Sequence, residues 1–118
     1  MLKLADVQFG PGAVYEGVKP QTIRAIVVAA AVFASFGFDC WVTSLVREYD
    51  ADSFHAYGLA VDVDAPVEVP PQYFRLMRNA IAAQLGDHYD VVYHNGHIHI
   101  EYDVTGKDIE LLKNGNRI

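Results

Sequence analysis

Histidine and acidic side chains concentrate in two segments of this sequence. The first, residues 53–62, contains His55 and Asp62, and the second, residues 94–101, contains three histidines. Two imidazole nitrogens and one carboxylate oxygen around zinc leave a fourth position for water, which is the arrangement of a catalytic zinc site. Zinc polarises a carbonyl and lowers the pKa of its bound water, while a nearby base takes the proton. The chemistry that these residue types imply is therefore hydrolysis.

An Asn95-Gly96 dipeptide stands between two runs of alternating polar and apolar residues and predicts a two-residue hairpin turn. Such a turn sets three cross-strand pairs: His94 with His97, Val92 with His99, and Asp90 with Glu101. One face of the hairpin is then apolar and belongs to the core, with Val91, Tyr93, Ile98, Ile100 and Tyr102. The other face carries the three histidines and two acids, and we expect the functional site there.

The remaining pattern predicts the elements that must position this face. A helix is expected over residues 19–35, with proline in its first turn, and a second over 72–85, with apolar residues along one side. Short strands are expected over 40–45 and 58–63, the latter with Asp62 facing away from the core. Residues 1–18 are predicted to be an irregular N-terminal arm. The fold class is α+β.

Composition limits what this chain can be. With 118 residues, 52% of them hydrophobic, we expect one domain over residues 1–118. A net charge of -6 and the lack of a Lys/Arg run argue against nucleic acid as a partner. The most apolar segment, 26–38, is too short to span a bilayer, and no signal-peptide pattern precedes it, so we expect synthesis in the cytoplasm and no membrane association. The single cysteine, Cys40, is interpreted as a core thiol rather than a reactive one.

The motif Ser53-x-His55-x-x-Gly58-x-Ala60-x-Asp62, followed by His97-x-His99, resembles the hedgehog/D-Ala-D-Ala peptidase fold. That family includes peptidoglycan D,D-carboxypeptidases, D-Ala-D-Ala dipeptidases and phage L-alanyl-D-glutamate endolysins. The resemblance covers roughly residues 43–101. It implies a small antiparallel sheet with helices on one face and a zinc site on the other.

By this resemblance, His55, Asp62 and His99 hold the zinc ion (Zn²⁺). Arg47, in the motif Thr43-Ser44-x-x-Arg47, is similar to an arginine that binds a substrate carboxylate in such enzymes, although a solvated loop charge is an equal alternative. Ser53 is predicted to bind the substrate together with Arg47.

One position departs from the family. Many members carry Glu or Asp as the base three residues before the last ligand, where this chain has Gly96. The pattern His94-x-x-His97-x-His99 instead resembles the penicillin-insensitive murein endopeptidase branch, so His97 is the predicted base and His94 is predicted to orient it or to stabilise the oxyanion. Asp90 and Glu101 stay open as solvated charges, partners of the ligands or catalytic groups, and His88 is interpreted as solvated.

The expected function is that of a zinc metallopeptidase acting on peptidoglycan stem or crosslink peptides, as a phage endolysin or a virion-associated enzyme. An alternative is a non-catalytic virion or wall-binding module of the same fold. A third is a zinc-stabilised domain that binds a protein partner, which predicts a metal with no open coordination position. The bond cleaved and the oligomeric state stay open.

Overall fold

A computed structural model describes residues 7–10, 17–46, 55 and 58–103. These residues form two helices and five strands, in the order β1 (Val7–Phe9), α1 (Pro20–Ser35), β2 (Cys40–Ser44), β3 (Ala60–Asp64), α2 (Pro71–Leu85), β4 (Tyr89–His94) and β5 (His97–Tyr102). The strands form one sheet in the order β1-β2-β3-β5-β4. All neighbours are antiparallel except β1 and β2. The α+β class is confirmed, and each predicted helix and strand matches within two residues.

The helices form because each offers an apolar side to the sheet. Both begin with proline in the first turn, where the missing N–H costs no hydrogen bond. In α2 the buried side chains recur every three or four residues, at Phe74, Met77, Ile81 and Leu85. The buried side of α1 is wider and built mainly from small and branched residues, with Phe33 fully buried. The two helices pack on each other, α1 against β2, β3 and β5, and α2 against β4 and β5.

The core lies between the helices and one face of the sheet. The sheet contributes Val42, Val61, Val63, Val91, Ile98 and Ile100, all at most 4% exposed. Phe74 stacks on Tyr93 with ring centroids 5.1 Å apart and so ties α2 to β4. Burial of each large apolar side chain stabilises the fold by about 1.5–3 kcal/mol. Because side chains alternate along a strand, the residues between these core positions project from the opposite face.

The hairpin has the predicted register. Asn95 and Gly96 both have positive φ, 49° and 79°, as a two-residue turn of this kind requires. The pairs His94 with His97, Val92 with His99, and Asp90 with Glu101 are all formed. The face assignment of both strands is therefore confirmed.

The N-terminal prediction is wrong for residues 7–9, which form strand β1 instead of an irregular arm. β1 pairs in parallel with β2, with Val7 opposite Cys40 and Phe9 opposite Val42. Gly10 extends the contact, since its N–H donates to the Val42 carbonyl at 2.8 Å. Three residues are too few to show strand periodicity, so the pairing depends on the free edge of β2 and not on local sequence. Residues 1–6 and 11–16 of the predicted arm lie outside the described residues.

Cys40 is buried at 1% exposure, which confirms the core assignment. Burial, together with the charge of Asp64, raises the pKa of the Cys40 thiol to about 12. Among the described residues, neither helix is long and apolar enough to cross a membrane.

Candidate metal centre

Adjacent inner strands bring the acid of the first segment to the histidine of the second. Asp62 on β3 lies directly opposite His99 on β5. Opposite residues of an antiparallel pair share a face, and this face is the one away from the helices. The two side chains meet, with 2.7 Å between His99 Nδ1 and Asp62 Oδ1. Asp62 is only 9% exposed, so this contact lies at the floor of the face rather than on its rim.

His55 reaches the same carboxylate from outside the sheet and is completely buried. Its Nδ1 lies 2.7 Å from the Leu45 carbonyl oxygen. A carbonyl oxygen can only accept, so Nδ1 carries the proton and donates. The other ring nitrogen, Nε2, points to Asp62 Oδ1 at 3.5 Å. The Leu45 carbonyl therefore fixes the ring orientation that presents Nε2 to the site.

The backbone after His55 is held by helix α1 through Gly58. The Gly58 carbonyl accepts from the Thr22 hydroxyl at 2.7 Å and from the Lys19 N–H at 3.0 Å, while the Gly58 N–H donates to the His55 carbonyl at 3.2 Å. Gly58 has φ +70°, and a Cβ there would overlap the Gly17 carbonyl oxygen. Glycine is thus required for both conformation and space, as its place in the motif predicts.

His55, Asp62 and His99 form a group that could hold a metal ion, since one ligand atom from each lies within 4.8 Å of the other two. Two ligand atoms on one tetrahedral zinc ion are about 3.3 Å apart. The 3.5 Å between His55 Nε2 and Asp62 Oδ1 matches that spacing. The 2.7 Å between Asp62 and His99 is a hydrogen-bond distance, with a proton between the two atoms. The donor set of two imidazoles and a carboxylate fits a transition-metal ion.

The site carries opposite charges in close contact. Burial acts to raise the pKa of Asp62, but hydrogen bonds and charge from His55 and His99 outweigh it and hold that pKa well below its usual range. The hydrogen bond to Asp62, followed by that to Glu101, raises the pKa of His99 to about 9. A carboxylate that stays ionised to low pH is the anchor that a bound cation needs.

His97 lies beside this group without belonging to it. Its Nε2 is 3.8 Å from Asp62 Oδ1, and its side chain is 28% exposed. His94, opposite it in the hairpin, is exposed and meets His97 edge to face, with ring centroids 6.0 Å apart. The His94 Nε2 accepts a hydrogen bond from the Asn95 amide at 3.0 Å. The contact between the two histidines is thus between rings, and the role of His94 in orienting His97 stays a prediction.

The two acids that the sequence left open differ in their contacts. Glu101 Oε1 lies 2.7 Å from His99 Nε2, so Glu101 is a partner of a candidate ligand. Asp90, opposite Glu101 on β4, is exposed. His88 is also exposed, with its ring 6.4 Å from that of Tyr102. Glu101 therefore differs from Asp90 and His88 in being hydrogen-bonded to a candidate metal ligand.

Strand β2 borders the face on the far side of β3. A register shift between Val42 and Ser44 places Ser44 opposite Asp62, and the Thr43 hydroxyl donates to the Asp62 carbonyl at 3.3 Å. Sequence reasoning missed this neighbour and also the anchoring role of Thr22, because neither contact has a local pattern. The predicted substrate residues Arg47 and Ser53 lie outside the described residues.

Comparison of the chain with protein-family models, with curated proteins and with solved structures finds no match.

Proposed function

We propose that this chain is a zinc-dependent peptidase that hydrolyses stem or crosslink peptides of peptidoglycan. The observation that carries the proposal is the convergence of His55, Asp62 and His99, whose ligand atoms lie within 4.8 Å of one another on one face of the sheet. The motif that joins these residues in sequence supplies the link to peptidoglycan, through its resemblance to the hedgehog/D-Ala-D-Ala peptidase fold.

Zinc is the metal that this donor set favours. Zinc is a borderline-soft ion that binds both imidazole nitrogens and carboxylate oxygens, and three protein ligands are the number found in catalytic zinc sites. Bound there, zinc would polarise the scissile carbonyl and activate water for attack. The partial exposure of His99 and His97 on the same face supports access for a peptide.

His97 is the proposed base. Its Nε2 lies close to Asp62 but is not one of the three mutually close ligand atoms. From this position the imidazole can take a proton from the attacking water and pass it to the leaving amine. His94, exposed beside it, is proposed to orient the base or to stabilise the oxyanion.

Substrate binding is proposed for Arg47 and Ser53, which follow β2 and precede His55 in the chain. An arginine binds a terminal carboxylate through two parallel hydrogen bonds, and peptidoglycan stem peptides end in such a group. We propose further that the enzyme acts as a phage endolysin or as a component of a virion.

The test is release of new amino groups from purified peptidoglycan. The zinc-loaded chain should release them, a chelator should stop the release, and added zinc should restore it. His88→Ala is the control, because His88 is exposed and lies outside the metal group. An inactive zinc-loaded wild type would contradict the proposal.

A non-catalytic wall-binding module of the same fold is the second candidate. The observation in its favour is Gly96, which occupies the family's usual acidic position and carries no side chain into the site. Sedimentation of the chain with peptidoglycan, without release of amino groups, is the result that this candidate predicts.

A further inference from the structure

His99 is held on both sides by carboxylates. Asp62 Oδ1 lies 2.7 Å from its Nδ1, and Glu101 Oε1 lies 2.7 Å from its Nε2. Glu101 is two residues further along β5, so its side chain projects from the same face as that of His99. An ionised carboxylate can only accept, and the Nε2 of His99 therefore carries a proton that it donates to Glu101.

The ring nitrogen that carries this proton decides which nitrogen can bind a metal. A neutral imidazole has one N–H and one lone pair, and only the lone pair ligates. His55 donates from Nδ1 to the Leu45 carbonyl and so presents Nε2 to the site. In the metal-free chain, His99 donates from both nitrogens, from Nδ1 to Asp62 and from Nε2 to Glu101. A metal bound beside Asp62 would take the place of the Nδ1 proton, while Glu101 would keep the proton on Nε2. With a metal bound, the two candidate ligands thus need opposite tautomers, and each has a different acceptor that holds its own.

We propose that Glu101 is a positioning residue that selects Nδ1 of His99 as the metal-ligating atom. This inference rests on the metal site proposed above. Glu101 acts through His99, because its Oε1 approaches the nitrogen on the far side of the ring from Asp62. Acceptors of this kind behind a histidine ligand typically change metal affinity by 10–100-fold when they are removed.

Asp90 offers a matched control for charge. It lies directly opposite Glu101 on the same face, carries the same charge and is exposed. Within the described part of the chain, no hydrogen bond joins its side chain to His99. Removal of this charge changes the local potential without changing the orientation of the imidazole. A screened surface charge has only a small effect of its own.

The experiment measures Zn²⁺ affinity of the full chain by competition with a chromophoric chelator. Glu101→Ala should weaken binding by about 10–100-fold. Glu101→Gln should lose much less, because its amide oxygen still accepts from Nε2, and Asp90→Asn should bind like the wild type. Equal affinity for Glu101→Ala and Asp90→Asn would overturn the inference. A loss in Glu101→Gln as large as that in Glu101→Ala would also overturn it, because charge and not orientation would then be responsible.

A second readout separates this inference from the proposed function. In the metal-free chain, NMR should show a protected Nε2–H proton of His99 in the wild type and in Glu101→Gln, and none in Glu101→Ala. If the wild type binds no zinc, the proposed function fails, but the NMR signal of the His99 Nε2–H still tests the role of Glu101. A wild type without a protected Nε2–H proton would overturn the inference. Circular dichroism of each variant confirms that the fold is intact.

Discussion

Thr22 in the first turn of α1 donates a hydrogen bond of 2.7 Å to the carbonyl of Gly58, 36 positions further along the chain. The bond is buried, and Gly58 is bonded in turn to the backbone of His55. Helix α1 therefore has a second task besides core packing, because its N-terminal turn fixes the backbone that follows a candidate metal ligand.

Replacement of Thr22 tests this link. Thr22→Val keeps the shape but removes the hydroxyl, and the loss of one buried hydrogen bond should lower the free energy of unfolding by about 1–3 kcal/mol. Zinc affinity should fall as well, because His55 loses part of its support. Thr22→Ser keeps the hydroxyl and is the control. Chemical denaturation measures the free energy of unfolding, and chelator competition measures the zinc affinity. An unchanged zinc affinity in Thr22→Val would show that Thr22 contributes to stability but not to the metal site.

Zinc stoichiometry tests the ligand set. The purified wild type should hold about one zinc per chain through His55, Asp62 and His99, which provide three ligand atoms in one place. His99→Ala should lose stoichiometric zinc in elemental analysis, while His88→Ala should keep it. Full occupancy in His99→Ala would remove His99 from the site.

His97→Ala tests the separation of base from ligand. The variant should keep its zinc, because His97 is not among the three mutually close ligands. Its activity on wall peptides should fall by roughly 10²–10⁴-fold, the usual contribution of a general base. Loss of zinc in parallel with activity would make His97 a fourth ligand, and the site would then be a closed, structural one.

Arg47→Ala tests substrate binding. If Arg47 binds a substrate carboxylate, its removal should raise KM more than it lowers kcat, and zinc content should stay the same. The measurement is steady-state kinetics on defined stem peptides, with Arg75→Ala as the control, because Arg75 is an exposed arginine on α2. Unchanged kinetics would show that Arg47 does not bind the substrate and is a solvated loop charge.

The metal-free chain should have a definite pH dependence of stability. The pKa of Asp62 is lowered in the folded state, so its contribution is present above its ordinary value of 3.8 and is lost at lower pH. The pKa of His99 is raised from 6.5 to about 9, so its contribution is complete below 6.5 and is lost as pH rises through 9. Denaturation of the zinc-free chain should show stability falling as the pH rises from 6.5 to about 9. His99→Gln should flatten that slope, and a slope unchanged in the variant would assign it to another group.

The candidate site was predictable where a local signal fixes geometry. The Asn95-Gly96 turn determines the register of β4 and β5, and with it the shared face of His97 and His99. Alternation along β3 likewise placed Asp62 on the side away from the core. Strand pairing between β3 and β5 did the rest, since it set Asp62 directly opposite His99.

Contacts between distant segments were not predictable. The hydrogen bond from Thr22 to Gly58 joins a helix to a loop, and neither segment has a sequence pattern that predicts contact with the other. Strand β1 is too short for periodicity and forms because β2 has an open edge. For Glu101 the predicted face was right, but a face alone does not distinguish a solvated acid from one bonded to His99.

The position of β5 within the sheet has a consequence for amide hydrogen exchange. β5 lies between β3 and β4 and is bonded along both edges, whereas β4 and β1 are the edge strands. Local opening events that fray an edge strand leave β3 and β5 paired with each other. Amide protons of β5 should therefore exchange among the slowest in the chain, with or without metal. Asp62 and His99 lie opposite each other on β3 and β5, so their backbone register persists through such fluctuations, and an ion would meet two ligands on strands that are already paired.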